Sequence, residues 1–416
     1  MASITKRGNN YRITVSNGRD INNKQILKTA TFRPDPNKTA KQNEKALQLF
    51  ALEFENKVKS GLLLDGDGIT YADYADIWLD KYASTQMAAT TYERSKGILD
   101  SFVVPQIGHL RLTEIKPLHI QQIYDDLTEN GKMINGEKHF YSSSTLLRIH
   151  NVISTSLTQA VYWQLINDNP CKRLRPPKVE KNVDVKHFTH EEAQIFLEYI
   201  KKPYKVDIGG RGRKIYAERN VPFQLQVFYN LALFGGFRRG ELLALTWSDI
   251  DFEHRTVHVN KSIEETQNGI LITPPKTYTS IRDVIIPSSC IRLLEQLKEE
   301  QEQTRSLIGS DWNSENYLFT QDNGNLIAPG TPNAVFKRII KRYNENEANT
   351  VKLPRISLHG LRHTSATLLI AENIDVKEVS ARLGHAETST TLNIYAHALK
   401  KRDEAAANAL ESLFSK

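Results

Sequence analysis

Residues 357–397 read SLHGLRHTSATLLIAENIDVKEVSARLGHAETSTTLNIYAH, and this stretch decides the fold of the C-terminal part of the chain. His359 and Arg362 are three residues apart, so a helix beginning near Ser357 presents both on one face. Gly384 ends a second helix, with His385 directly after it. Tyr395 follows in a short helix of mixed polarity. Its neighbours Asn393, Ala396 and His397 are polar or small, which weighs against deep burial.

Working upstream, Phe237-Arg238-Arg239-Gly240-Glu241-Leu242 follows the double glycine Gly235-Gly236. A glycine break frees the chain to turn an arginine out of the core and into a cleft. Spacing alone does not choose between Arg238 and Arg239. Glu241 reads as a helix-start carboxylate that orients its neighbours. Pro275-Lys276-Thr277 sits past a strand, at the expected tip of a β-hairpin. Segments 256–259, 270–273 and 282–286 alternate as strands of one small antiparallel sheet. A capping box at Thr189-His190-Glu191-Glu192 opens a helix to Ile200, and 223–234 is a hydrophobic helix. Residues 201–220 contain a flexible, glycine-rich basic loop over 209–214. The remainder is expected to be helical to the end.

These segments offer two arginines, a lysine, two histidines and a tyrosine. Arginine forks bind two phosphate oxygens and stay charged at every working pH. Charge developing on a five-coordinate phosphorus needs such pre-aimed donors. A tyrosine is a competent covalent nucleophile when a neighbour takes its proton, and a lysine or histidine can protonate the leaving oxygen. No dense carboxylate cluster accompanies the set, so a two-metal nuclease site is not suggested. His359 and His363 stand at i, i+4, but HGLRH lacks the glutamate of HExxH and puts a fixed positive charge beside any metal.

Two further units precede this one. Residues 1–65 read as a βββα module: Tyr11-Arg12-Ile13-Thr14-Val15 alternates, 25–32 is a strand stopped by Pro34 and Pro36, and 37–59 has near-helical apolar spacing. Arg12, Arg19, Lys24 and Lys28 lie on or near its sheet, whose open face suits a DNA major groove. Residues 69–180 read as all-helical, with helices over 71–82, 91–102, 116–130 and 142–165 and a glycine-bearing loop or short hairpin over 131–139. Ser143, Thr145 and Arg148 crowd the start of the last helix, where hydroxyls and backbone N–H groups favour phosphate. A basic, proline-bearing linker over 172–186 leads to the third unit, 187–416. The fold class is therefore mainly α with small antiparallel β-sheets, in three domains.

Charge agrees with that division. The net charge is +7, yet residues 1–65 alone hold 12 lysines and arginines against 6 acids, while 66–186 hold 14 of each. A basic module on a near-neutral body is the footprint of a polyanion-binding protein. Apolar residues make up 39% of the 416-residue chain and charged residues 25%, with no apolar run of membrane-spanning length and no secretory signal. Two distant cysteines, Cys171 and Cys290, argue against a disulfide scaffold and for a reducing cytoplasmic setting.

The ordered pattern R-x-G-E-L, hairpin lysine, H-x-x-R, L-G-H and a tyrosine ten residues on resembles the tyrosine recombinases, and the whole chain looks like an integrase of a Gram-positive phage or conjugative transposon. The resemblance covers all three units: an arm-type DNA-binding domain, a helical SAM-like core-binding domain and a mixed α/β catalytic domain. It selects Arg238 over Arg239, and implies that Arg238, His359, Arg362 and His385 surround the scissile phosphate. It implies Tyr395 as the nucleophile that forms a 3′-phosphotyrosine, Lys276 as the acid for the 5′-hydroxyl, and His359 as the acid/base partner of the tyrosine. Strand exchange would run through a Holliday junction with neither ATP nor metal, hence no cofactor. The implied partners are double-stranded DNA attachment sites, a homotetramer on DNA, an excisionase and a host DNA-bending protein, with no membrane. A short apolar-faced helix over 405–413 is expected to dock on a neighbouring subunit. Two alternatives share parts of this reading: a type IB topoisomerase, and a DNA-binding regulator without catalysis.

Overall fold

The computed structural model describes residues 2–19, 23–59, 68–134, 137–178, 186–207, 216–275, 280–313 and 315–384, together with Glu411 and Phe414. Residue contacts divide the chain into two compact units, Met1–Glu180 and Lys181–Lys416.

The first unit begins with an antiparallel sheet of β1 (Ser3–Arg7), β2 (Asn10–Arg19) and β3 (Gln25–Phe32), with β2 in the centre. Alternation along β2 buries Ile13 and Val15. Helix α1 (Ala40–Lys59) lays Leu47, Ala51, Phe54 and Val58, spaced by three and four, onto them. The core of this module is small, so its independent stability is marginal.

A separate apolar cluster belongs to the helices that follow. Thr70 accepts a hydrogen bond from the Asp73 amide and so caps α2 (Tyr71–Trp78). Tyr71, Tyr74 and Trp78 are fully buried. Helix α3 (Ala89–Ile98) widens into a π-helical turn over Leu99–Val103, just ahead of Pro105, whose nitrogen has no proton for the preceding turn. Helix α4 (Pro117–Glu129), the hairpin β4 (Lys132–Ile134) and β5 (Glu137–His139), and α5 (Ser143–Tyr162) complete the group. The apolar stripe of α5 buries Leu146, Ile149, Ile153, Leu157 and Ala160.

The second unit opens with α6 (His190–Tyr199), whose Thr189–Glu192 capping box forms in both directions. Segments on either side of the expected 209–214 loop pair as a hairpin, β6 (Tyr204–Asp207) with β7 (Tyr216–Arg219), and the loop itself lies outside the described residues, which omit 208–215. Helix α7 (Phe223–Phe234) is almost wholly buried, and α8 (Arg239–Ala244) follows the glycine break. The single expected sheet is instead two. Strands β8 (Ile250–Asp251), β9 (Thr256–Val259) and β12 (Arg282–Ile285) form one, and β10 (Ser262–Thr266) and β11 (Gly269–Thr273) form a separate hairpin. The reason is local: 262–266 is a strand as well, and the nearest partner for 270–273 is the segment just before it. Among the described residues that follow, the helices are α9 (Ser288–Ile308), α10 (Thr331–Glu345), α11 (His359–Ala371) and α12 (Val376–Leu383). They are interrupted by a turn-rich segment over 309–330 and an extended one over 346–358 that buries Leu353, Ile356 and Leu358. Aromatic contacts among Phe188, Phe196, Tyr229 and Phe336 join α6, α7 and α10. Among the described residues no helix is long and apolar enough to cross a membrane.

Candidate active site

The site is assembled where α7 ends, α8 and α11 begin, and α12 stops. After Phe234 the chain passes Gly235 and then Gly236, which has a φ of 64°. That left-handed conformation suits glycine, and a Cβ at Gly236 would stand 2.5 Å from Leu383 Cδ2. The turn buries Phe237 and releases Arg238, which occupies the N-cap of α8 in extended conformation. Arg238 keeps 36% of its side chain exposed, whereas its neighbour Glu241 keeps 2%.

Glu241 is the anchor of the cluster. Its Oε2 accepts the Arg238 amide at 2.8 Å, and its Oε1 accepts Arg238 Nη1 at 2.7 Å. Arg282, on β12, donates Nη1 to Oε1 at 3.1 Å and Nη2 to Oε2 at 2.9 Å. Burial alone would raise the pKa of Glu241, but the hydrogen bonds and charges of Arg282 and Arg238 outweigh it and hold the carboxyl below its ordinary range. A buried carboxylate between two guanidiniums stays ionised and fixes both.

Arg362 is 1% exposed, and its Nη1 donates to the Gly236 carbonyl at 2.8 Å. The two arginines are thus tied to the same turn. Gly360, between His359 and Arg362, lets α11 lie close to Ile356, whose side chain a Cβ would meet at 2.9 Å. His359 is open to solvent by surface area, yet its pKa falls to about 4. Crowding by protein atoms comes first among the causes, the Arg362 and Arg238 charges second, and Glu241 opposes them. The imidazole is therefore neutral near pH 7. The His363 ring meets it edge to face, with centroids 4.7 Å apart.

Gly384 ends α12 in left-handed conformation, φ 66°, as its sequence position predicts. Its carbonyl accepts Arg238 Nη2 at 3.0 Å. Arg382 donates to the carbonyls of Phe234 and Ile285 at 2.9 and 3.0 Å, stitching α12 to α7 and β12. Arg238, His359 and Arg362 are accordingly brought together. Lys276, His385 and Tyr395 lie outside the described residues, as do most of 405–413. The turn of the β10–β11 hairpin falls at 267–268, and β11 and β12 are strands of different sheets.

Sequence motifs did not point to Arg282. The signal was parity: Arg282, Val284 and Ile286 face inward while Ile281 and Ile285 are exposed, so a charge stands where β12 calls for an apolar residue.

The proposed DNA-contact residues divide. Arg12 is exposed and pairs in register with Thr5 and Thr31 on the open face of the sheet. Lys28 stands opposite Val15, hence on the face that packs against α1. Arg19 donates to Asn23 within its own hairpin, and Lys24 is exposed beside it. Ser143 and Arg148 are exposed at the start of α5, while Thr145 is engaged by the Ser142 cap.

Comparison with known proteins agrees with this architecture. The phage integrase family pattern matches residues 213–402, and the N-terminal SAM-like domain of phage integrases matches 70–128. The chain is 29% identical, over 97% of its length and 96% of the other's, to a XerC-like tyrosine recombinase of Caldanaerobacter subterraneus. It is 29% identical to the ICEBs1 integrase of Bacillus subtilis, over 66% of this chain and 68% of that one. Among solved structures, the Tn1549 transposon integrase in complex with a circular intermediate DNA superposes with a TM-score of 0.62 at 20% identity, covering 82% of this chain and 99% of that one. A lambda integrase dimer bound to a core site superposes with a TM-score of 0.53 at 15% identity, covering 94% of each chain.

Proposed function

We propose, from the premise that this chain belongs to the phage integrase family, that it is a site-specific DNA recombinase that integrates and excises a mobile element. The observation that carries the reading is the convergence of Arg238 and Arg362 on one turn, with His359 close enough to feel both charges and a buried carboxylate behind them.

In this reading the two guanidiniums receive the non-bridging oxygens of the scissile phosphate and stabilise the charge that grows there. The Tyr395 phenol attacks phosphorus. Neutral His359 accepts the phenolic proton, for which a protonated imidazole would be useless. The bond to the 5′-oxygen breaks, Lys276 donates a proton to it, and the 3′-phosphate remains on Tyr395. His385 adds a donor to the phosphate. A 5′-hydroxyl from the partner strand then attacks the phosphotyrosine, returning the phenol and closing the exchanged strand. Each phosphodiester broken is replaced by one of similar energy, so the cycle balances without ATP.

Three modules divide the labour in this proposal. Residues 1–65 hold a distant arm sequence, 69–180 hold the core site with Ser143 and Arg148 at the phosphates, and 187–416 carry the chemistry. Four protomers join two sites, with the 405–413 segment docking on a neighbour, and an excisionase and a host bending protein set direction.

The test is strand transfer between two DNA duplexes carrying the element's attachment sequences. Wild-type protein is expected to give recombinants and a Holliday junction without nucleotide, and Tyr395→Phe neither. Recombinants from the Phe variant would overturn the reading, as would relaxation of arbitrary supercoiled DNA without any site preference.

A further inference from the structure

Arg282 lies on β12 opposite Val259, on the inward-facing side of the strand, and its side chain is 7% exposed. A guanidinium there is costly unless every donor is directed at an acceptor. Here four donations reach two segments far away in sequence, at Glu241 and Arg382, and the chain just before Arg282 itself, at Ser280. Nε gives to the Arg382 carbonyl at 2.7 Å. Nη1 gives to Glu241 Oε1 and to the Ser280 carbonyl, both at 3.1 Å. Nη2 gives to Glu241 Oε2 at 2.9 Å. The Phe237 ring lies 5.9 Å from its Cζ. Gly384 completes the fit, because a Cβ there would stand 3.0 Å from Arg282 Nη1 and 3.2 Å from its Cδ.

We propose that Arg282 is a positioning residue for strand cleavage, setting Arg238 against the turn that leads into His385. It acts through others. Glu241, held by Arg282, takes both the amide and Nη1 of Arg238. The Arg382 carbonyl, held by Nε, fixes the last turn of α12, and the Gly384 carbonyl receives Arg238 Nη2. The Ser280 carbonyl anchors the chain four residues past Lys276. One planar fork thus registers three motif segments. A lysine could neutralise Glu241 but could not bridge both its oxygens and reach the Arg382 carbonyl.

This inference rests on the recombinase reading, and single-turnover cleavage of a nicked suicide substrate separates the two. Arg282→Gln and Arg282→Lys are compared with wild type for cleavage rate, DNA affinity and melting temperature. Both are expected to cleave about 10²-fold more slowly, as displaced catalytic groups do, with affinity within about threefold. On a substrate whose scissile phosphate is a neutral methylphosphonate, less charge needs stabilising, so the penalty of both variants should shrink. Lysine restoring the wild-type rate would show that charge alone matters and overturn the proposal. An equal penalty on both substrates would do the same. Should Arg282→Gln unfold, the double variant Glu241→Gln/Arg282→Gln removes the unpaired carboxylate. It should still cleave slowly, and a near-wild-type rate would count against positioning. A covalent adduct from Tyr395→Phe would overturn the recombinase reading and this proposal with it.

Discussion

Arg362 and Arg12 are both candidates for phosphate contact, yet their surroundings are opposite. Arg362 is 1% exposed and bonded to the carbonyl of Gly236, 126 residues away in sequence. Arg12 is exposed on the open face of a sheet whose cross-strand neighbours there are threonines. The first region holds its cations in fixed directions by buried hydrogen bonds. The second displays them to solvent. Preorganised donors stabilise a transition state, because they do not reorganise as charge develops. Displayed cations serve polyanion affinity, which salt erodes. One region should thus be sensitive to geometry and the other to ionic strength.

The largest effect is expected at the arginines of the cluster. Arg238→Gln or Arg362→Gln should lower single-turnover cleavage by about 10²–10³ or more, the cost of losing one preorganised donor. A loss below tenfold would break the contrast between the regions. Next comes Gly236→Ala, which forces a side chain into a φ of 64° and against Leu383. It should destabilise by about 1–3 kcal/mol from backbone strain alone, read as a lower melting temperature. An unchanged melting temperature would show that the turn does not need its glycine.

His359 sharpens the comparison through pH. Its folded pKa, about 4, lies below that of an unfolded histidine, so the unfolded chain takes up the proton first as pH falls. Its contribution to stability is complete above the ordinary histidine pKa and is lost on acidification towards pH 4. Imidazole resonances should titrate near that value, and Arg238→Gln should move the midpoint up by removing one positive neighbour. A midpoint near 6.5 in the wild-type protein would contradict the electrostatic account of the cluster. The smallest effect is expected at Arg12. Arg12→Gln should lower arm-DNA affinity modestly and reduce the salt slope by about 0.9, one phosphate contact's worth. Cleavage of a substrate lacking arm DNA should be unaffected.

Much of this was legible in the sequence because the deciding features are local. The Thr189 capping box, the Gly384 helix end, the alternation of β2 and the H-x-x-R face of α11 each follow from residues within a turn or strand of one another. Division of the strands into two sheets was not legible, since β9, β11 and β12 share one alternation and pairing is a choice among partners. Lys28 shows the same limit: its face depends on register with Val15. Arg282 was hidden because its acceptors, Glu241 and the Arg382 carbonyl, are 41 and 100 residues distant in sequence. Its inward parity on β12 was the one available sign.

The central claim is that the guanidinium cluster serves a tyrosine that becomes covalently joined to DNA. Mass-spectrometric mapping of the adduct trapped on a nicked suicide substrate tests it most directly. The account predicts a 3′-phosphate on the peptide bearing Tyr395, formed without added nucleotide. A phosphate on any other residue, or cleavage that leaves no covalent adduct, would contradict it.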